Sequence, residues 1–153
     1  MPELITHSCA ALVVWNFFLK RLPVLLVVIG TLLPDLCSRP FTILFAHSEM
    51  RTFFPVFHEP IPITLICFLL SRLFIPSKRN EAWLALCLGA YVHEGLDLLQ
   101  KAVAESYYPL FPFSMWSPRW GILHSEATLP YLPLIILVTW GLLSVARRSN
   151  RNA

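Results

Sequence analysis

Residues 82–103 read AWLALCLGAYVHEGLDLLQKAV. The run is apolar enough to be buried, yet it carries His93, Glu94 and Asp97. A charged side chain inside an apolar helix costs several kcal/mol unless something pairs with it. His93 and Asp97 are four residues apart, so a helix sets them on one face, while Glu94 turns about 100° away from His93. The stretch therefore predicts a buried helix whose polar face meets partners supplied by other segments.

The rest of the chain is of the same character. Its 153 residues are 56% hydrophobic and 14% charged, where soluble domains carry about 25% charged residues, and the mean hydropathy is +0.63. Apolar runs fall at 4–19, 22–36, 61–76, 82–103 and 129–146. We expect an all-α integral membrane helical bundle of about five hydrophobic helices, one domain over residues 1–148 with a disordered tail at 149–153. Several runs are shorter than the ~20 residues of a perpendicular span, which local thinning of the bilayer can accommodate. A soluble helical bundle is the alternative. The lack of charge in LPVLLVVIGTLL (22–33) and LPYLPLIILVTWGLL (129–143) counts against it.

Lys20 and Arg21 separate the first two runs, Arg72, Lys78 and Arg79 lie at the end of the third or just after it, and Arg147, Arg148 and Arg151 follow the fifth. With these eight in the cytoplasm, the N-terminus lies outside and the C-terminus inside. His7, Asp35, His58, His93 and Asp97 then fall at one depth toward the outer face. Tyr107, Tyr108, Trp116 and Trp120 would form an interfacial belt on that side. Pro34 is expected to end or bend its helix and present Asp35 at the rim, and residues 38–57 are expected to form an outer loop that also holds Arg39.

Imidazole and carboxylate together suit zinc or another first-row divalent ion. The bland readings are Asp97 paired with Lys101, His93 as a hydrogen-bonded core histidine, Asp35 as a helix-end carboxylate, His58 as a loop residue and His7 as incidental. Their coincidence at one depth favours a metal. His47 and His124 have no such context. HEGLD resembles a zincin HExxH with Asp in place of the second His, which weakens a protease reading and leaves Glu94 as a supporting or loop-facing residue. The four cysteines (Cys9, Cys37, Cys67, Cys87) have no CxxC spacing and read as buried small hydrophobes. The N-terminus lacks a signal-peptide layout. The net charge of +3 is scattered, so no nucleic-acid partner is expected.

Thr6-His7, GTLLPD (30–35), His58, GAYVHEGLD (89–97) and YYPLFPF (107–113) form an ordered set that resembles the YdjM-type membrane-bound metal-dependent hydrolases. The ligand order is also similar to that of zinc-dependent phospholipase C and the related P1-type single-strand nucleases. Two departures stand out: Cys37 where the YdjM family often has a second acid, and FHEP around His58. The resemblance implies one or two divalent ions, with Zn²⁺ the expected metal, Asp35, His58, His93 and Asp97 standing around one and His7 with a bridging Asp97 at a second. It further implies hydrolysis of a phosphoester or lipid-like substrate, with Asp35 catalytic, in a bacterial inner (cytoplasmic) membrane with the site facing the periplasm. The alternatives are a membrane protein with a structural or transport metal site, and a family member that keeps the fold without activity.

Overall fold

The computed structural model describes residues 2–18, 20–49, 54–100, 108–117 and 130–151. Among them are five α-helices: α1 (Pro2–Phe18), α2 (Val24–Leu44), α3 (Pro60–Ser71), α4 (Arg79–Asp97) and α5 (Leu132–Arg151). Short 3₁₀ turns at Phe54–His58 and Pro76–Lys78 precede α3 and α4, and the described residues contain no strand. The fold is all-α. α5 takes in three of the five residues expected as a tail, and residues 152 and 153 lie outside the described ones.

Local chemistry sets the helix boundaries. Pro23 starts α2, its carbonyl accepting the Leu26 and Val27 amides at 3.0 and 3.2 Å. The Trp15 indole N–H donates to the Leu22 carbonyl at 2.7 Å and fastens the α1–α2 connection. α3 opens with Pro60, where a missing N–H costs nothing.

The expectation that Pro34 ends or bends its helix, leaving Asp35 at a rim, needs correction. α2 runs through Pro34 and Pro40 to Leu44, so Asp35 lies mid-helix and is buried, and residues 38–44 are helix rather than outer loop. Hydroxyl groups flank the interruptions: Thr31, Ser38 and Thr42 each donate to the carbonyl four residues back, at 3.0, 2.9 and 2.8 Å. Proline also removes only one ladder bond, and a helix packed against a neighbour tolerates that loss.

α2 and α4 approach very closely. A Cβ on Gly30 would strike the Leu86 carbonyl, and a Cβ on Gly89 would strike the Val27 carbonyl. Thr31 Oγ1 bridges the pair, lying 3.1 Å from the Gly89 carbonyl oxygen. Small residues at a helix crossing let backbones meet in this way. His93 follows Gly89 by one turn and Asp35 follows Thr31 by one turn, so the same contact sets the site.

The interior is small and polar. Among the described residues, ten apolar and twelve polar or charged ones are buried, the reverse of a soluble core. Large apolar side chains point outward instead, among them Phe18, Leu25, Leu36, Leu44, Leu65, Leu69, Leu137 and Trp140. One helix, Val24–Leu44, is long and apolar enough to cross a membrane; the apolar stretches Leu4–Phe18, Pro60–Ser71 and Leu132–Ala146 are shorter.

Candidate metal centre

Four segments bring their polar side chains to one point. α4 supplies His93 and Asp97 from the face that begins at Gly89, α2 supplies Asp35, α1 supplies His7, and the Phe54–His58 turn supplies His58. His7, Asp35, His93 and Asp97 are each no more than 3% exposed.

His58 Nε2 lies 3.0 Å from His93 Nε2, and Asp97 Oδ2 lies 3.2 Å from each of them. Asp35 Oδ1 stands further off, 3.5 Å from His58 Nε2 and 3.8 Å from His93 Nε2. Donor atoms ~2.0–2.2 Å from one tetrahedral ion are about 3.3–3.6 Å from one another; the separations here, 3.0–3.8 Å, lie on both sides of that range, so small side-chain shifts would let these atoms share a cation. Asp97 Oδ2 and both Asp35 oxygens are buried, and two histidine nitrogens face each other. Buried carboxylates have a large desolvation cost, which Arg39 and a protonated histidine offset in part and a shared cation would offset further. These buried His/Asp groups can hold a metal ion: His7, His93 and Asp97 form one compact group, and Asp35, His58 and His93 another.

The two oxygens of Asp97 have different surroundings. Oδ2 faces the histidine pair, while Oδ1 lies 3.0 Å from His7 Nε2 and accepts the Gln100 amide at 3.2 Å. His7 is therefore placed to hold Asp97 from behind as well as to join the cluster, its ring 4.2 Å from that of His93. Gln100 was not among the sequence candidates, since a glutamine just past a helix end reads as a solvated cap.

Arg39 was expected in an outer loop. It lies on α2, one turn past Asp35, with Nε 2.6 Å from Asp35 Oδ1 and its side chain 35% exposed. The i,i+4 spacing becomes visible only once α2 is continued through Pro34. Glu94 is buried, with Oε1 3.6 Å from His58 Nδ1, so it supports the outer side of His58, where HExxH chemistry would need it on the open side of the ion. Burial alone would lower the His58 pKa; its hydrogen bonds to Asp35 and Asp97 and the charge of Glu94 outweigh that and raise it from 6.5 to about 10. The neighbouring Glu59 accepts the Tyr108 backbone N–H through both oxygens, at 2.9 and 3.0 Å, which ties residues 108–117 to this end of the bundle.

His47 is exposed and belongs to neither His/Asp group. His124, Lys101, Tyr107 and Trp120 lie outside the described residues. All four cysteines are free, Cys67 and Cys87 being buried. No protein-family model matches the chain, nor does any curated protein or solved structure.

Proposed function

We propose that the chain is an integral-membrane metal-dependent hydrolase acting on a phosphoester of a lipid-like substrate. The observation that carries this reading is the triangle of His58 Nε2, His93 Nε2 and Asp97 Oδ2, with edges of 3.0, 3.2 and 3.2 Å, beside an Asp35 carboxylate set back on its fourth side. Catalytic metal sites pair three protein ligands with one open position, whereas structural sites close with four. Asp35 Oδ1 is the most distant of the four donor atoms and also lies 2.6 Å from Arg39 Nε; in this reading it stays off the ion and the fourth position is left for water.

A zinc-like ion in the triangle would lower the pKa of bound water toward ~7 and stabilise charge on phosphoryl oxygens. Asp35 would orient that water and accept its proton as the new oxygen–phosphorus bond forms and the ester oxygen departs with its electron pair. Arg39 would keep Asp35 ionised and face the anionic substrate. His7 and Gln100 would hold Asp97 so that one oxygen stays turned to the ion.

Membrane embedding is supported by the outward apolar side chains, the polar interior and the span-length α2. The Lys/Arg asymmetry supports the N-terminus outside, which turns the cluster end toward the periplasm of a bacterial inner membrane. A structural ion is the second reading, favoured if Asp35 closes the site as a fourth ligand. Metal analysis and turnover of the detergent-purified protein separate the two. The hydrolase reading expects bound metal with turnover of phosphoesters or phospholipids. Inert, metal-loaded protein whose stability collapses on chelation would replace it with the structural one.

A further inference from the structure

An apolar groove of 430 Å³ lies beside the metal centre, between α2, α3 and the Phe54–His58 turn. Leu36, Cys37, Phe41, Phe54, Phe57 and Ile66 line it. No lining side chain is charged or carries an amide or hydroxyl group, so a polar occupant would lose its water and gain no hydrogen bond from them. A hydrocarbon chain is the occupant that loses nothing. Phe54 stacks on Phe41 and Phe45 at 5.3 and 5.2 Å between ring centroids, so one wall is preformed.

Groove and centre are built from the same two elements. α2 gives Asp35 and Arg39 to the centre and Leu36, Cys37 and Phe41 to the groove. The turn gives His58 to the centre and Phe54 and Phe57 to the groove. Leu36 on α2 and Leu65 and Leu69 on α3 are exposed, so these two helices present apolar surface outward beside the groove. A molecule that is polar at one end and a linear hydrocarbon at the other matches this pair of neighbouring environments.

We propose that the groove is the hydrocarbon-chain subsite of the metal centre, so that the substrate is a single-chain or multi-chain lipid whose anionic phosphoester lies beside Arg39 and whose chain lies along Leu36, Cys37 and Ile66. The polar end of this assignment rests on the hydrolase reading; the chain end rests on the groove alone, and the two are tested separately.

Cys37 is a natural reporter, being a free, half-buried thiol in the groove wall. Cys9, free and half-buried on α1, is absent from the groove lining and serves as the internal control. The protein is solubilised in a steroid-based detergent, whose rigid rings do not imitate a linear chain, and N-ethylmaleimide labelling is followed with butyl, octyl and hexadecyl phosphate. Protection of Cys37 should grow with chain length while Cys9 labels at a constant rate. Ile66→Trp, which adds bulk to the groove wall and replaces no residue of the His/Asp cluster, should abolish that dependence without changing metal content. In turnover, KM for alkyl phosphoesters should fall about three- to fourfold per methylene while the chain is filling the groove, and Ile66→Trp should flatten the series. Equal Cys37 labelling at every chain length overturns the inference, as does equal protection by alkylammonium salts, which would make the groove a seat for any bilayer lipid. If Cys37 is protected but no phosphoester is hydrolysed, the hydrolase reading falls and the chain site stands. If phosphoesters are hydrolysed with no chain dependence, the chain site falls and the hydrolase reading stands.

Discussion

At the scale of single residues, the two oxygens of Asp97 face different neighbours, Oδ2 toward His58 and His93 and Oδ1 toward His7 and Gln100. Removing a residue that holds a ligand in place typically costs 10–100-fold in metal affinity. His7→Ala and Gln100→Leu should each show a loss of about that size in a competition titration with a chromophoric chelator, and His7→Gln, which keeps a donor, should recover part of it. His93→Ala removes a nitrogen of the triangle itself and should bind far less metal than either. If the proposed hydrolase reading holds, Asp35→Asn should abolish turnover while losing less metal than His93→Ala, since that reading gives Asp35 the proton rather than the ion; equal metal loss in the two variants would argue for Asp35 as a closing ligand. His58 adds a pH dependence. Its pKa is raised, so its proton stabilises the metal-free fold fully below the ordinary 6.5, and that contribution is lost as pH rises through about 10. At neutral pH an arriving ion must displace this proton. Metal affinity should therefore climb with pH until about 10, and calorimetry in buffers of different ionisation heat should read about one proton released per ion. The His and Asp residues that the fold brings together are legible in the sequence because histidine and acid at i,i+4 have few reasons to sit in an apolar helix. Gln100 and Arg39 are not, since each takes its meaning from a neighbour that only the fold provides.

At the scale of helices, the α2–α4 crossing positions the site. Gly30 and Gly89 each face a carbonyl of the other helix with no room for a methyl group. Gly89→Ala should destabilise by about 1–3 kcal/mol or more and also separate Asp35 from His93, so that thermal stability in detergent and metal content fall together. Gly95→Ala, where an added Cβ meets nothing within 4 Å, should leave both unchanged and serves as the control. A single glycine in an apolar run says little about packing, which is why this contact is invisible before the fold is known. The same limit explains α2. Pro34 carries a local stop signal, and the factors that outweigh it are non-local: the packing on α4, and a Thr31 hydroxyl that lies 3.1 Å from the Gly89 carbonyl oxygen. The existence of the helices was legible from apolar runs, but their ends were not. The run at 61–76 stops as a helix at Ser71, and the run at 82–103 begins as a helix at Arg79 and ends at Asp97.

At the scale of the whole molecule, the basic connections near Lys20 and Lys78 stand at the opposite end of the bundle from the 108–117 segment tied to Glu59. Single cysteines introduced into a cysteine-free background at Lys78 and Ser117 test the orientation by labelling intact cells with a membrane-impermeant maleimide. Position 117 should label and position 78 should not; labelling of position 78 from outside would invert the topology. Asp35 lies eleven residues from the start of α2, a rise of about 17 Å, and Asp97 closes α4, so the cluster lies away from the Pro23 end of the bundle. Of its five His and Asp residues, four are on long helices and one is not. His58 ends a five-residue 3₁₀ turn that is joined to α2 through residues 45–53. The turn packs extensively on α2 and also touches α3, with Phe54 stacked on Phe41 and Phe45. His58 is thus the one residue of the cluster carried by the α2–α3 connection, and Glu59 next to it holds the Tyr108 amide. A cation shared by His58 and His93 would pin that connection to α4, so hydrogen exchange at residues 54–58 should slow on metal addition while the centre of α4 stays as protected as before.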